Sequence, residues 1–101
     1  MEEFFRQRLT QLRIQKGISA RDMSLSLGQS ESYINKIENG KAFPSMQVFF
    51  YICEYFNITP KDFFDAENNN PVILDELLND MKVLTNNQIA CIAYIIKELK
   101  R

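Results

Sequence analysis

Residues Ile18–Lys41 read ISARDMSLSLGQSESYINKIENGK, and this stretch decides the fold. Gly17, Gly28 and Gly40 are the protein's three glycines, and each falls at the end of a helix-patterned segment. A residue able to take a left-handed conformation stops a helix there and re-aims the chain. After Gly17, Ser19 with Asp22 three residues on reads as an N-cap with an acidic first turn, and Met23 and Leu27 recur at helical spacing. Gly28 turns the chain. Ser30 is placed to cap the next helix, Tyr33, Ile34 and Ile37 give it an apolar side, and Asn39 and Gly40 end it.

Two short helices joined by so tight a glycine turn suit a helix-turn-helix, whose second helix can lie in a DNA major groove. Upstream, a first helix is expected from about Glu3 to Lys16, with Phe5, Leu9 and Leu12 buried and its charged residues solvated. Downstream of the loop Lys41-Ala-Phe-Pro-Ser, Pro44 and Ser45 supply a start signal. Met46, Phe49, Phe50, Cys53 and Phe56 then repeat at helical intervals, an aromatic stripe that reads as core rather than as a stacking platform. Thr59-Pro60-Lys61-Asp62 opens a short fifth helix with Phe63 and Phe64 packing inward.

The run Asn68-Asn69-Asn70-Pro71 reads as a hinge or tight linker. Two more helices follow, roughly Pro71 to Leu84 and Asn86 to Lys100. Thr85 with Gln88 makes a capping box, and Lys97, Lys100 and Arg101 complement the negative end of the last helix. That helix holds IACIAYII, Ile89–Ile96, eight consecutive apolar residues that cover it all the way round. A helix lying on one core needs only an apolar stripe, so something must cover the other side. The run is too short for a bilayer, which takes about twenty residues. Either the helix is tucked under the rest of the monomer, or the hairpin self-associates. The second reading divides Ile89, Ile92, Ile96 and Leu99 between an intramolecular face and a partner copy.

The segments LRIQKGIS, the Leu-Gly turn, YINKIENGK and PSMQVFFYICEYFNITPKDFF together resemble the five-helix DNA-binding domain of the phage-repressor type, the Cro/C1 or XRE family, from about Phe5 to Phe64. The resemblance implies that Arg13, late in the first helix, pairs with Glu38 before the Asn-Gly, and that Asn57 ends the fourth helix. It also implies that Asn39 and Lys41 hold phosphate, and that the C-terminal hairpin serves dimerisation. Two positions depart from the family's pattern. Ala20 stands where that family commonly has a phosphate-donating Gln, and the loop after the third helix offers Ala42 and Phe43 in place of further basic residues.

The expected architecture is therefore all-α: a five-helix repressor-like helix-turn-helix domain over residues 1–67, then a C-terminal helical hairpin over residues 71–101 that forms a dimerisation element. An apolar fraction of 46% with eight Phe supplies a core for one domain. Met1-Glu-Glu does not open a signal or transit peptide, so a cytoplasmic location without membrane association is expected. Cys53 and Cys91 sit within apolar helical patterns and, with no His present, form no metal or catalytic set; buried free thiols are the reading. No cofactor is implied. Neither a nucleophile with its base nor a phosphate-cradling glycine loop is present, which argues against an enzyme.

The net charge of −1 is low for a DNA reader, since neutralised phosphates release counterions and supply much of the affinity. Any positive face must come from local clustering. Near the start of the third helix, Glu31, Ser32, Asn35 and Lys36 are the candidate base readers: Asn and Lys suit adenine and guanine, Glu accepts from a cytosine amino group, and Ser bonds several edges. Glu31 is equally suited to partner the dipole of that helix in its first turn. Lys16 and Arg21 join Asn39 and Lys41 as candidate phosphate contacts. The implied partners are a double-stranded DNA operator and a second copy of the chain. The alternative is a protein-interaction module on the same fold, an antirepressor or the heterodimer partner of a repressor.

Overall fold

A computed structural model describes residues 1–101 as seven helices and no strand. In chain order they are α1 (Glu2–Lys16), α2 (Ala20–Ser26), α3 (Tyr33–Glu38), α4 (Met46–Phe56), α5 (Pro60–Phe63), α6 (Pro71–Met81) and α7 (Asn86–Leu99). The first five surround a core of Phe5, Leu9, Leu12, Met23, Ile34, Ile37, Phe49, Ile52, Cys53, Phe56 and Phe63.

Local chemistry places the boundaries. Ser19, Ser45, Thr59 and Thr85 each accept an amide hydrogen in the first turn of α2, α4, α5 and α7, and Thr59 and Thr85 complete capping boxes with Asp62 and Gln88. α1 to α4 are each followed by a left-handed residue: Gly17, Gly28, Gly40 and Asn57. Gly28, at φ 73°, lets the Gln29 amide return to the Ser24 carbonyl at 3.0 Å. Asn57 does the same after α4 at φ 58°, the one non-glycine residue with positive φ in the molecule. Its short amide side chain tolerates that conformation better than most.

Four expectations about burial need correction. Arg8 is not solvated: it is 3% exposed, because it lies three residues from Phe5 and beside Leu9 on the buried face of α1. Met46 and Phe50 lie outside the core, since α4 turns Phe49, Ile52, Cys53 and Phe56 inward and leaves them exposed. Phe63 is fully buried, whereas Phe64 is partly exposed and rests against the rings of Phe4, Phe5, Phe49 and Phe63. Of the two thiols, Cys53 is buried and Cys91 is exposed, because nothing in the monomer covers its side of α7.

The Asn68–Asn70 run is a tight connection. Pro71 and Val72, in the first turn of α6, are buried against α1 and its neighbours, Asp75 one turn on still bonds Asn57, and α7 buries no residue. The radius of gyration is 16.3 Å and the extents are 49 × 26 × 21 Å. A compact chain of this length would have a radius of about 13 Å.

Candidate nucleic-acid interface

α3 is less than two turns long and has little stability of its own, so its position depends on what grips its inner side. Ile34 and Ile37 are fully buried. The hydroxyl of Ser24, on α2 and also fully buried, accepts the Ile34 amide hydrogen at 2.9 Å and donates to the Ala20 carbonyl at 2.7 Å. It thereby satisfies a first-turn donor that a helix leaves without a partner. The expected cap by Ser30 does not form. Ser30 contributes only its carbonyl, to the Tyr33 amide at 3.0 Å, and the helix starts at Tyr33 because the cap arrives from α2.

At the other end of α3, Arg13 forks onto Glu38, with Nε–Oε2 2.8 Å and Nη2–Oε1 3.0 Å, and its Nη1 donates to the Ile18 carbonyl at 2.9 Å. The two side chains are 17% and 11% exposed. The hydrogen bond to Glu38 raises the Arg13 pKa above its ordinary value against the opposing pull of burial. One guanidinium thus ties α1, the α1–α2 turn and the end of α3 together, with the planar geometry that suits a carboxylate.

The outer side of α3 presents Asn35 and Lys36, both exposed. Asn39 donates to the Asn35 side-chain carbonyl at 3.1 Å, so two candidate contacts of different kinds are coupled. Ser32 is half-buried at the N-cap position. Glu31 precedes the helix by two residues, so it does not lie in the first turn; it faces Arg21 of α2 at 3.2 Å, with both side chains about two-thirds exposed. The Lys16 ammonium lies 5.2 Å from the centre of the Tyr55 ring. Arg21 and Lys16 are therefore already engaged, whereas Lys36 and Lys41 make no ion pair.

Asn39, Gly40 and Lys41 border an open cleft of about 570 Å³ against the start of α1, where Glu2, Glu3 and Arg6 line the other side. Gly40 sits at φ 75°, and a Cβ there would come within 3.3 Å of Arg6 Nη1. Arg6 thus adds a cation beside Lys41 that sequence reasoning passed over, while the two glutamates oppose it. The signal was present: Arg6 precedes Arg13 by seven residues, two turns along one helix face. Ser24 carried no such signal, since nothing in the sequence distinguishes it from its neighbours Ser26 and Ser30.

No group of three or more His, Cys, Asp or Glu side chains converges to hold a metal ion, and no helix is long and apolar enough to cross a membrane. Comparison with curated proteins and with solved structures returned no match. A family model described as a helix-turn-helix domain matches residues 7–69, ending just before the hairpin begins. With α2, the Gly28 turn and a braced α3 inside that span, the chain belongs to the helix-turn-helix domain family.

Proposed function

We propose that the protein is a sequence-specific DNA-binding transcriptional regulator, a cytoplasmic dimeric repressor of the Cro/C1 type without catalytic activity, in which α3 enters the major groove. The observation that carries this reading is the asymmetry of α3. Its inner side is held by Ser24, the Arg13–Glu38 pair and two buried isoleucines, while Asn35, bonded to Asn39, and Lys36, without an ion-pair partner, face outward. A short helix held so firmly can present a fixed pattern of donors and acceptors to base edges. Glu31, Ser32, Asn35 and Lys36 are the readers in this proposal. Asn39 and Lys41 hold the phosphate backbone, assisted by Lys16 and Arg21.

The dimer is formed through the hairpin. Ile89 and Ile92 are half-buried, and Ile96 and Leu99 are exposed, as are Leu74, Leu77 and Leu78 on α6. An apolar surface of this extent on a small chain is suited to a two-fold interface. Two copies joined in this way would place their α3 helices in successive major grooves, about 34 Å apart on one side of the duplex.

Selection of bound duplexes from a random pool at low salt tests the reading, with a motif of two-fold symmetry as the expected product. Within that motif, Lys41→Ala should weaken binding to every sequence and make the salt slope shallower by about one unit, whereas Lys36→Ala should relax preference at particular base pairs. A pool that enriches nothing would sink the proposal and leave the protein-interaction module. That second reading is favoured by the exposed apolar side chains of Phe43, Met46, Phe50 and Phe64 beside the α3–α4 loop.

A further inference from the structure

The most heavily bonded side chain in the molecule lies outside the α3 surface. Arg8 Nε donates to the Phe63 carbonyl at 2.8 Å, and Nη2 donates to the carbonyls of Asp62 at 2.8 Å, Asn68 at 2.7 Å and Asp65 at 3.3 Å. Its Nη1 donates to Gln11 Oε1 at 2.7 Å, so no carboxylate oxygen bonds the buried cation. All four carbonyls belong to α5 or to the connection that leads into α6. Two turns further along α1, Gln15 donates to the Asn69 carbonyl and to the Asn70 side chain. Beyond the connection, the Asn57 amide bonds the carboxylate of Asp75, and Val72 fills the core at 3% exposure.

This grip has a consequence for a dimer held by its hairpins. The separation of the two reading helices is then set by the angle at which each hairpin leaves its domain, and half-site spacing follows from that separation. The lever is long. A tilt of roughly 8° acting over half of the 49 Å long axis moves its end by about 3.4 Å, one base-pair step. Arg8 makes five hydrogen bonds from one rigid plane, whereas a lysine ammonium has only three donors, on a flexible stem, and cannot replace them all.

We infer that Arg8 is a positioning residue for operator spacing: by clamping the residue 62–68 connection onto α1, it fixes the hairpin relative to α3 and so selects one distance between half-sites. The inference rests on the reading of the chain as a dimeric DNA-binding regulator. It predicts that loosening the clamp changes which spacings are bound rather than which bases are read.

The experiment compares full-length wild type, Arg8→Lys and Gln15→Ala on duplexes carrying the selected half-sites with the spacer lengthened or shortened by one to three base pairs. Wild type should lose about tenfold or more in affinity two base pairs from its optimum, and Arg8→Lys should flatten that loss to about threefold with base preferences unchanged. Gln15→Ala, a milder change in the same clamp, should fall between them. A purely structural role would lower affinity equally at every spacing, and that outcome in folded, dimeric variants overturns the inference. A wild type that selects no duplex would instead refute DNA binding. The clamp is then judged by spin-label distances between Gln47→Cys on α4 and Lys97→Cys on α7, in a Cys91→Ser background diluted with unlabelled protein. One narrow distance that broadens in Arg8→Lys supports positioning, and equal widths overturn it.

Discussion

α4 and α7 are both short, capped and rich in apolar residues, yet α4 buries Phe49, Ile52, Cys53 and Phe56 whereas α7 buries nothing. The contrast holds for the regions that contain them. Of the twelve buried core residues only Val72 comes from beyond Phe63. The hairpin has the same capping chemistry as the helix-turn-helix domain, down to a second capping box at Thr85, but lacks neighbours on enough sides. Helix formation and burial are thus separable. The first follows from caps and periodicity along the chain, and the second needs surfaces from elsewhere.

The sharpest way to break this comparison is to remove equal amounts of apolar side chain from each region. Leu12→Ala, in a fully buried position, should cost about 2–5 kcal/mol by transfer and cavity terms. Leu99→Ala, at 80% exposure, should leave monomer stability within about 0.5 kcal/mol while weakening self-association. Denaturant unfolding at low concentration and light scattering at high concentration separate the two effects. Similar unfolding losses for both variants would show that the hairpin folds back as part of the monomer core.

Arg13→Met comes next. Stranding Glu38 at 11% exposure, with the Ile18 carbonyl also losing its donor, should cost about 3 kcal/mol, toward the lower end for a broken buried pair because both groups retain some solvent. A change within the range of ordinary surface substitutions would place the pair at the periphery. Ser24→Ala should cost about 2 kcal/mol, since the Ile34 amide would be left buried without an acceptor. Faster amide exchange confined to α3 is the expected signature. Exchange rising equally in α1 and α4 would mean that Ser24 supports the whole core instead of bracing one helix.

The smallest effect is read from the thiols. Burial pushes the Cys53 pKa up to about 11, so little thiolate exists at neutral pH and its α4 side is closed to reagent, while Cys91 lies open on α7. A thiol reagent should therefore titrate one cysteine in the folded protein and the second only on unfolding. Two fast thiols would show that the α4 side of the core opens readily.

The legible part of the fold was that written locally. Gly17, Gly28, Gly40 and Asn57 closed helices where left-handed residues were anticipated, and Ser19, Ser45, Thr59 and Thr85 opened them. Ser30 and Arg8 depart from expectation for different reasons. Ser30 stands where a local cap belongs, but the hydroxyl that meets the start of α3 comes from Ser24 on another helix. Arg8 carries a charge that favours solvent, yet its spacing from Phe5 and Leu12 places it on the inner face of α1.

The sequence by itself therefore determined the helices, their order and the helix-turn-helix, because caps, turns and periodicity act between residues a few positions apart. Beyond the Arg13–Glu38 pair that the family resemblance implied, only the tertiary structure decided which polar groups brace those helices. Ser24 beneath α3 and Arg8 on the carbonyls of residues 62–68 join segments that are distant along the chain. A buried donor takes whichever acceptor folding brings within about 3 Å, and sequence separation does not restrict that choice.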